Sequence, residues 1–376
     1  MSRTLPRTPL ADGFWMPGEF EPHAGCWMLW PERPDNWREA ARPAQRAVAQ
    51  IAAAIAQFEP VSVGASTAHY DVARALLPES VRVVEMAHDD CWMRDVGPTG
   101  VVDTRGVVRG VHWQFNAWGG LKGGLYFPWD QDERVASKVL AIEDCDRYRA
   151  PLVNEGGAVH VDGEGTALVT EECLLNENRN PLLSREQIES HLRAYLGVRK
   201  LIWLAKGVFN DETSGHIDEL ACFVRPGEVC LTWTDDRRDP QHAISLDAWQ
   251  RLNDEVDACG RHLQVTKLPM PGPLIMSGAE AEGVIAREGT KPRRVGERLA
   301  ASYANFYIAN GGVIMPLLDA STDRAAANRL RRLFPERRIV GVPAREILLG
   351  GGGIHCLTQQ LPQRGLKRRA PRPPAS

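Results

Sequence analysis

The sequence has no C-x-x-C pair and no short-spaced cluster of cysteine and histidine, although it contains 8 cysteines: Cys26, Cys91, Cys145, Cys173, Cys222, Cys230, Cys259 and Cys356. That scatter excludes the usual structural zinc sites. Cys222 in LACFV and Cys230 in EVCLTW sit in apolar runs, where a small buried hydrophobe is the ordinary role. Free thiols in a reducing compartment are therefore expected. No uninterrupted apolar run approaches the roughly 18 residues of a membrane-spanning helix, and the opening MSRTLPRTPLADGFW lacks the apolar centre of a secretory signal. The expectation is a soluble, cytoplasmic protein. Charge of one sign is scarce too: the formal net charge is -3, and no extended basic cluster interrupts the body of the chain. Phosphate backbones need such a cluster, so nucleic acid is not an expected partner, and neither is a membrane. A Pro/Gly/Ser linker is also missing from the body, which predicts one domain over residues 1–361. The remaining 362–376, PQRGLKRRAPRPPAS, is rich in Arg and Pro and is expected to be a disordered basic tail.

What is present is ample apolar material, 43% of 376 residues, enough for a sizeable core. Its periodicity predicts helices at about 43–58, 131–145, 184–196, 245–259 and 323–334, with Ser184, Ser245 and Asp323 as caps. Each is followed by a strand-like run: PVSVGA, RYRAPLV, RKLIWLA, LQVTKLP and RIVGVPA. After four of these comes a hairpin pattern, in TGVVDTRGVVRGV, GAVHVDGEGTALVT, HIDELACFVRPGEVCLTW and ANFYIANGGVIMPLL. The fifth run is followed by a single strand, IHCLTQQ, and the strand lacking a partner is AGCWMLW near the N-terminus. Pairing those two would close a ring of about five irregular repeats of helix, strand and hairpin, leaving no exposed sheet edge. An open, mainly parallel α/β sheet is the competing parse, and the many hairpins argue against it.

Four segments carry chemistry. In REILLGGGGIHCLTQQ, glycines 350–353 lead directly into Ile354, His355 and Cys356. Glycines let backbone approach another group closely, and on a following strand Cys356 would face a cleft while His355 points the other way. Taken alone, a buried structural cysteine after a flexible loop is the commoner reading. In FNDETSGHIDELACF, His216 and Asp218 would share one face of an extended strand and present an imidazole and a carboxylate together. A metal or a merely solvated strand face stays open there, and His160 with Asp162 repeats the spacing. HDDCWMRDVGPTG places Asp89, Asp90 and Asp95 beside Trp92 and Arg94, and LVNEGGAVHVDGEG places Glu155 before paired glycines. Two carboxylates can hold a guanidinium through paired charge-assisted hydrogen bonds while a Trp face covers its plane. Turns with solvated acids are the plain alternative for each segment.

Together, MPGEFEPHAGCWMLWPERPDNWR, DDCWMRDVGPTGVV, FNAWGG, NEGGAVHVDGEGTALVTEECLLNENRNP, FNDETSGHIDE, NGGVIMP and LGGGGIHCLTQQ closely resemble the agmatine deiminase family, from about residue 16 to about residue 361. The resemblance implies the guanidine-modifying superfamily and its α/β fold, a five-bladed pseudo-symmetric propeller. It implies Cys356 as nucleophile, His216 as general acid/base, Asp95 and Asp218 as the grip on the guanidinium, and Glu155 as the carboxylate that orients the histidine. Trp92 and Glu212 match positions near the aminobutyl chain and its ammonium. Asn154 before the E-G-G and the basic tail depart from the family pattern without touching these groups. The implied reaction converts agmatine to N-carbamoylputrescine and ammonia in putrescine synthesis, through an amidino-thioether on Cys356. Neither metal nor organic cofactor is expected, and a homodimer is the family habit. Arginine or peptidyl-arginine would use the same machinery but require a partner for a carboxylate, a role open to Arg94. A metallohydrolase built on His216, Asp218 and Glu155, or a non-catalytic guanidine-binding module, remains the reading from a different class.

Overall fold

The computed structural model describes residues 2–367 and shows a mixed α/β protein with five sheets. One construction recurs in all of them: an antiparallel pair, a helical crossover, then a strand parallel to the second of the pair. Thr99–Val102 and Val108–Gln114 pair antiparallel, helix Val135–Ile142 crosses over, and Arg147–Val153 joins in parallel. The same order runs through His160–Val161, Thr166–Thr170, helix Arg185–Leu196 and Lys200–Leu204. It returns in Ala221–Arg225, Glu228–Trp233, helix Pro240–Asp254 and Gln264–Pro269, and again in Tyr307–Ala309, Gly312–Leu317, helix Asp323–Leu333 and Arg338–Pro343. A parallel pair cannot be joined by a tight turn, which is why each repeat needs its helix.

In the fifth sheet the two ends of the chain meet. Gln359–Pro362 pairs antiparallel with His23–Leu29, with Gln359 opposite Trp27, and Val61–Ala65 follows in parallel after helix Arg42–Ile55. The pairing of AGCWMLW with the strand after Cys356 is thus present, and Arg82–Glu85 extends this sheet by one strand. Helix Arg42–Ile55 explains its own position: Ala44, Ala47, Val48, Ile51, Ala52 and Ile55 recur at helical spacing and are buried against the sheet.

Four local expectations change. Asp323 is the first residue of its helix and not a cap, its carboxylate instead accepting from Leu318 N at 2.9 Å and from the Tyr303 hydroxyl at 2.6 Å. Helix Pro240–Asp254 starts five residues before Ser245, because Asp239 caps it, with its side chain accepting from Gln241 N, and Pro240 fills the first turn. Ser245 instead lies buried inside the helix and donates to Thr232 O at 2.7 Å. IHCLTQQ is not strand throughout: residues 354–357 form a turn and pairing begins at Gln359. The boundary at Pro362 moves as well, since Pro362 pairs with His23 and Gly365 N bonds Gly106 O. The rest of the expected tail, from residue 368, lies outside the described residues. No helix among the described residues is long and apolar enough to cross a membrane.

Candidate active site

Each repeat contributes a polar group from the few residues just before its first strand. Asp95 precedes Thr99–Val102, Glu155 precedes His160–Val161, His216 and Asp218 precede Ala221–Arg225, Asn305 precedes Tyr307–Ala309, and Cys356 precedes Gln359–Pro362. Five equivalent positions, far apart in sequence, converge on one place.

Short helical turns aim several of these side chains. Asp95 sits in helix Met93–Val96 and Asp218 in helix Ile217–Leu220, for which His216 is the N-cap residue. His216 and Asp218 therefore come together through a helical turn and not along a strand face, with His216 Nδ1 4.0 Å from Asp218 Oδ1. Asp95 accepts from Gly157 N at 2.9 Å and from Trp118 Nε1 at 3.0 Å, and its Oδ2 lies 3.8 Å from His216 Nδ1. Trp118 reaches it from a left-handed backbone, φ 62°, an unusual conformation for so large a residue. On the other side of the imidazole, His216 Nε2 is 3.5 Å from Glu155 Oε2, while the second Glu155 oxygen takes Arg179 Nε at 2.7 Å. Gly157 makes this closeness possible. A Cβ there would meet His216 Nδ1 at 2.5 Å and Asp95 and Asp218 oxygens at 3.0 Å, so the E-G-G pattern is a packing requirement.

Cys356 is held by its turn. Asn305 Oδ1 accepts from His355 N at 2.9 Å and from Cys356 N at 3.3 Å, Arg94 N donates to Cys356 O at 3.0 Å, and Thr358 Oγ1 donates to His355 O at 2.9 Å. The thiol itself touches Asn305 Nδ2 at 3.2 Å, Asp218 Oδ2 at 3.7 Å and Glu219 Oε1 at 3.8 Å. His355 does turn away from the sulfur: its Nδ1 bonds Asp218 Oδ2 at 2.8 Å and its Nε2 bonds Glu19 at 2.9 Å.

A cavity of about 390 Å³ opens above these groups, lined by Cys356, Asp95, Trp92, Trp118, Tyr126 and Glu212 among others. His216, Asp218 and Glu155 lie immediately behind its floor, each 1% exposed or less. Trp92 stacks on Trp37 with ring centroids 5.4 Å apart, and both indoles donate to the buried Asp90. Asp90 is thereby a support for the aromatic wall, while Asp89 accepts from Gln131 N and Asp132 N and stays out of the site. Glu212 stands in the wall as expected, but its carboxylate is already held by Lys291 Nζ at 2.7 Å and Arg293 Nη1 at 2.9 Å. Gly351, at φ 109°, leaves room for that carboxylate; a Cβ would run into it. Arg94 does not line the cavity: it is 1% exposed and paired with Glu19 at 3.0 Å, so it offers nothing to an incoming carboxylate.

The electrostatics set the groups apart. Burial and Asp218 push the Asp95 carboxyl up to about 6 against the opposing pull of His216. Burial would lower His216, but Asp95 and contacts with Cys173 and Glu155 raise it well above its ordinary value, so it is an imidazolium at rest. Burial also pushes the Cys356 thiol well above its ordinary range, and Asp218, Glu219 and Asp95 add to that. The resting sulfur is therefore protonated.

Two buried trios bring donor atoms within 4.8 Å of one another, Glu19 with His160 and His355, and Glu155 with Cys173 and His216. In each, the carboxylate already grips an arginine, Arg94 at 3.0 Å or Arg179 at 2.7 Å, whose charge opposes a metal ion in the same place. Asn305, Glu219, Trp118, Arg179 and Arg293 were not singled out by sequence reasoning. Trp118 had a signal, the FNAWGG run; Asn305 had none beyond a polar residue inside an apolar hairpin pattern.

Comparison with known proteins follows the same lines. The model of the Porphyromonas-type peptidyl-arginine deiminase family matches residues 15–362. An agmatine deiminase of Pseudomonas fluorescens is 57% identical over 361 residues, covering 96% of this chain and 98% of its own length. One from Pseudomonas aeruginosa is 57% identical over 357 residues, covering 94% and 97%. The solved agmatine deiminase of Enterococcus faecalis superposes with a TM-score of 0.95 at 48% identity, over 97% of this chain and all of that one. With its whole folded length shared at this identity, the chain belongs to the agmatine deiminases of the Porphyromonas-type peptidyl-arginine deiminase family.

Proposed function

We propose that this protein hydrolyses agmatine to N-carbamoylputrescine and ammonia, with Cys356 as nucleophile. The observation that carries the reading is a thiol among ionisable carboxylates at the floor of an aromatic-walled cavity: Cys356 Sγ beside Asp218, with Asp95 approaching the same nitrogen of His216 as Asp218 does. A guanidinium is planar, cationic and poorly electrophilic. Asp95 and Asp218 would fix its plane and hold charge on its nitrogens, which leaves the central carbon open to the sulfur. The site needs that cation. Without it, burial and the neighbouring acids, Asp218 first among them, hold Cys356 as a thiol; with it, the added positive charge lets the sulfur release its proton to solvent, so substrate binding itself activates the nucleophile.

Attack gives a tetrahedral adduct, His216 delivers a proton to the departing nitrogen, and ammonia leaves an amidino-thioether on Cys356. Neutral His216, oriented by Glu155, then takes a proton from water as the hydroxide adds to the same carbon, and collapse releases the ureido product and the sulfur. Trp92 would cover the aliphatic chain, and the ammonium would compete with Lys291 and Arg293 for Glu212 at the cavity wall. Arg293, which lines the cavity, is bound to Glu212, and Arg94, outside it, to Glu19, so among the described lining residues no arginine is left unpaired for the carboxylate of free arginine, which favours agmatine.

The five sheets with one repeated construction support a five-bladed propeller around this site; the single domain, the homodimer and the cytoplasmic location belong to the same proposal and rest on the sequence and the family resemblance alone. The deciding experiment offers agmatine, arginine and a peptidyl-arginine separately, with and without EDTA, and measures ureido product and ammonia. Selective, EDTA-resistant turnover of agmatine that disappears in Cys356→Ser is expected; turnover of arginine or peptide alone would overturn the substrate, and a fully active Cys356→Ser would overturn the covalent route.

A further inference from the structure

Glu19 and His355 place two charges at the centre of the molecule without lining the cavity. Glu19 comes from the MPGEFEPHAGCW run, is 3% exposed, and accepts from Arg94 Nη1 at 3.0 Å and from His355 Nε2 at 2.9 Å. The other nitrogen of His355 reaches Asp218 Oδ2 at 2.8 Å, the same oxygen that lies 3.7 Å from Cys356 Sγ. His355 also directly precedes Cys356, so one residue is fixed to the nucleophile by the chain and to the carboxylate by a hydrogen bond.

We infer that Glu19 and His355 form a buried charge relay that keeps Asp218 ionised and sets its position relative to the Cys356 sulfur. Both are positioning residues, and the inference rests on the reaction proposed above. Three acids crowd the sulfur, and two of them are driven toward their neutral forms: Asp95 by burial and Asp218, and Glu219, by burial and the same Asp218, well above its ordinary value. Only Asp218, bonded to His355, is held below the ordinary carboxylate range despite equal burial; His355, His216 and Arg94 supply the opposing charge. His355 in turn faces Arg94, whose charge disfavours an imidazolium. Glu19 stands against both, with His160 Nε2 3.6 Å away, and restores the balance so that His355 stays charged. Removing either member would let Asp218 take up a proton in the pH range where its neighbours already do.

The test uses the intact chain with ¹⁵N-labelled histidine, with His355→Gln to assign the signal. In the unsubstituted protein, His355 is expected to carry protons on both nitrogens at pH 7, and in Glu19→Gln its titration should fall. A neutral His355 imidazole at pH 7 in the unsubstituted protein would overturn the relay. In parallel, kcat/KM for agmatine is followed against pH in both variants, alongside thermal unfolding. The acid limb should move upward by about one unit, so that activity relative to the unsubstituted enzyme falls about tenfold more near pH 6 than near pH 8.5. Lower melting temperature with an unmoved acid limb would reduce both residues to scaffolding and sink the inference. Failure of the unsubstituted chain to hydrolyse agmatine would refute the proposed reaction instead, while the imidazole signal would still decide the relay.

Discussion

Asp95 shows what a charged site costs the fold. Its folded carboxyl titrates at about 6 against an ordinary 3.8, so the native state holds the proton more tightly than the unfolded chain, and ionising it lowers stability as pH rises from about 4 to 6. A rise of roughly 2 units corresponds to about 3 kcal/mol once Asp95 is fully charged. In Asp95→Asn that penalty is gone, although one of the donors from Gly157 and Trp118 loses its acceptor at every pH. The stability advantage of the unsubstituted protein over the variant should therefore shrink by about 2 kcal/mol between pH 4 and pH 8, measured by denaturant unfolding, while the variant loses turnover. An equal gap at both pH values would mean that Asp95 is ionised in the fold at no cost. Cys356 makes the converse prediction. Alkylation of the free enzyme at Cys356, followed by peptide mass spectrometry, should climb about tenfold per pH unit through pH 9 without levelling, because the thiol titrates above its ordinary value. A plateau below pH 8 would reveal a standing thiolate and remove the need for substrate to activate it. These residues differ in how far the sequence announced them. Cys356 stands after four glycines and Asp95 beside Trp92, patterns that reflect close backbone approach and a planar cation. Asn305 and Glu219 touch the same sulfur, yet a lone polar residue in a hairpin pattern looks like any other.

At the scale of elements, the crossover helices were legible because each buries one stripe, and their ends were legible where a cap acts locally. Ser184 is such a cap: its hydroxyl accepts from Gln187 N while the Gln187 side chain accepts from Ser184 N, and Gly197 ends the helix in the left-handed conformation. Ser184→Ala should lower unfolding free energy by about 1 kcal/mol and leave kcat and KM unchanged, since none of the proposed catalytic residues lies on this helix. A change in kcat would tie this helix to the site in a way its contacts do not suggest. Ser245 failed as a cap because Asp239 and Pro240 offer a stronger start five residues earlier, and its hydroxyl finds Thr232 O inside the fold. The strand expected across IHCLTQQ failed for a tertiary reason. Asn305 takes the backbone N–H groups of His355 and Cys356, which a strand would have spent on a neighbour, and so bends the chain into the turn that presents the thiol.

At the scale of the whole molecule, the site depends on a sheet shared by two segments far apart in the chain, His23–Leu29 and Gln359–Pro362. Cys356 lies three residues before Gln359–Pro362, and that strand is held by its pairing with His23–Leu29, by packing of Leu361, which is 7% exposed, and by the contact of Pro362 with Gly100. Glu19, four residues before the same N-terminal strand, arrives at the site by the same route. A chain ending at Thr358 keeps every proposed catalytic group in its sequence but loses the anchor on the downstream side of the nucleophile. It should unfold at lower temperature and lose at least about 100-fold in kcat/KM, because an error of about 1 Å in the nucleophile can cost that much. A peptide supplying residues 359–367 in trans should recover part of the activity by adding back the edge strand. If the truncated chain instead melts early but turns agmatine over at full rate, the turn at 354–357 is held by Asn305 and Arg94 alone, and the meeting of the termini serves stability without serving the site.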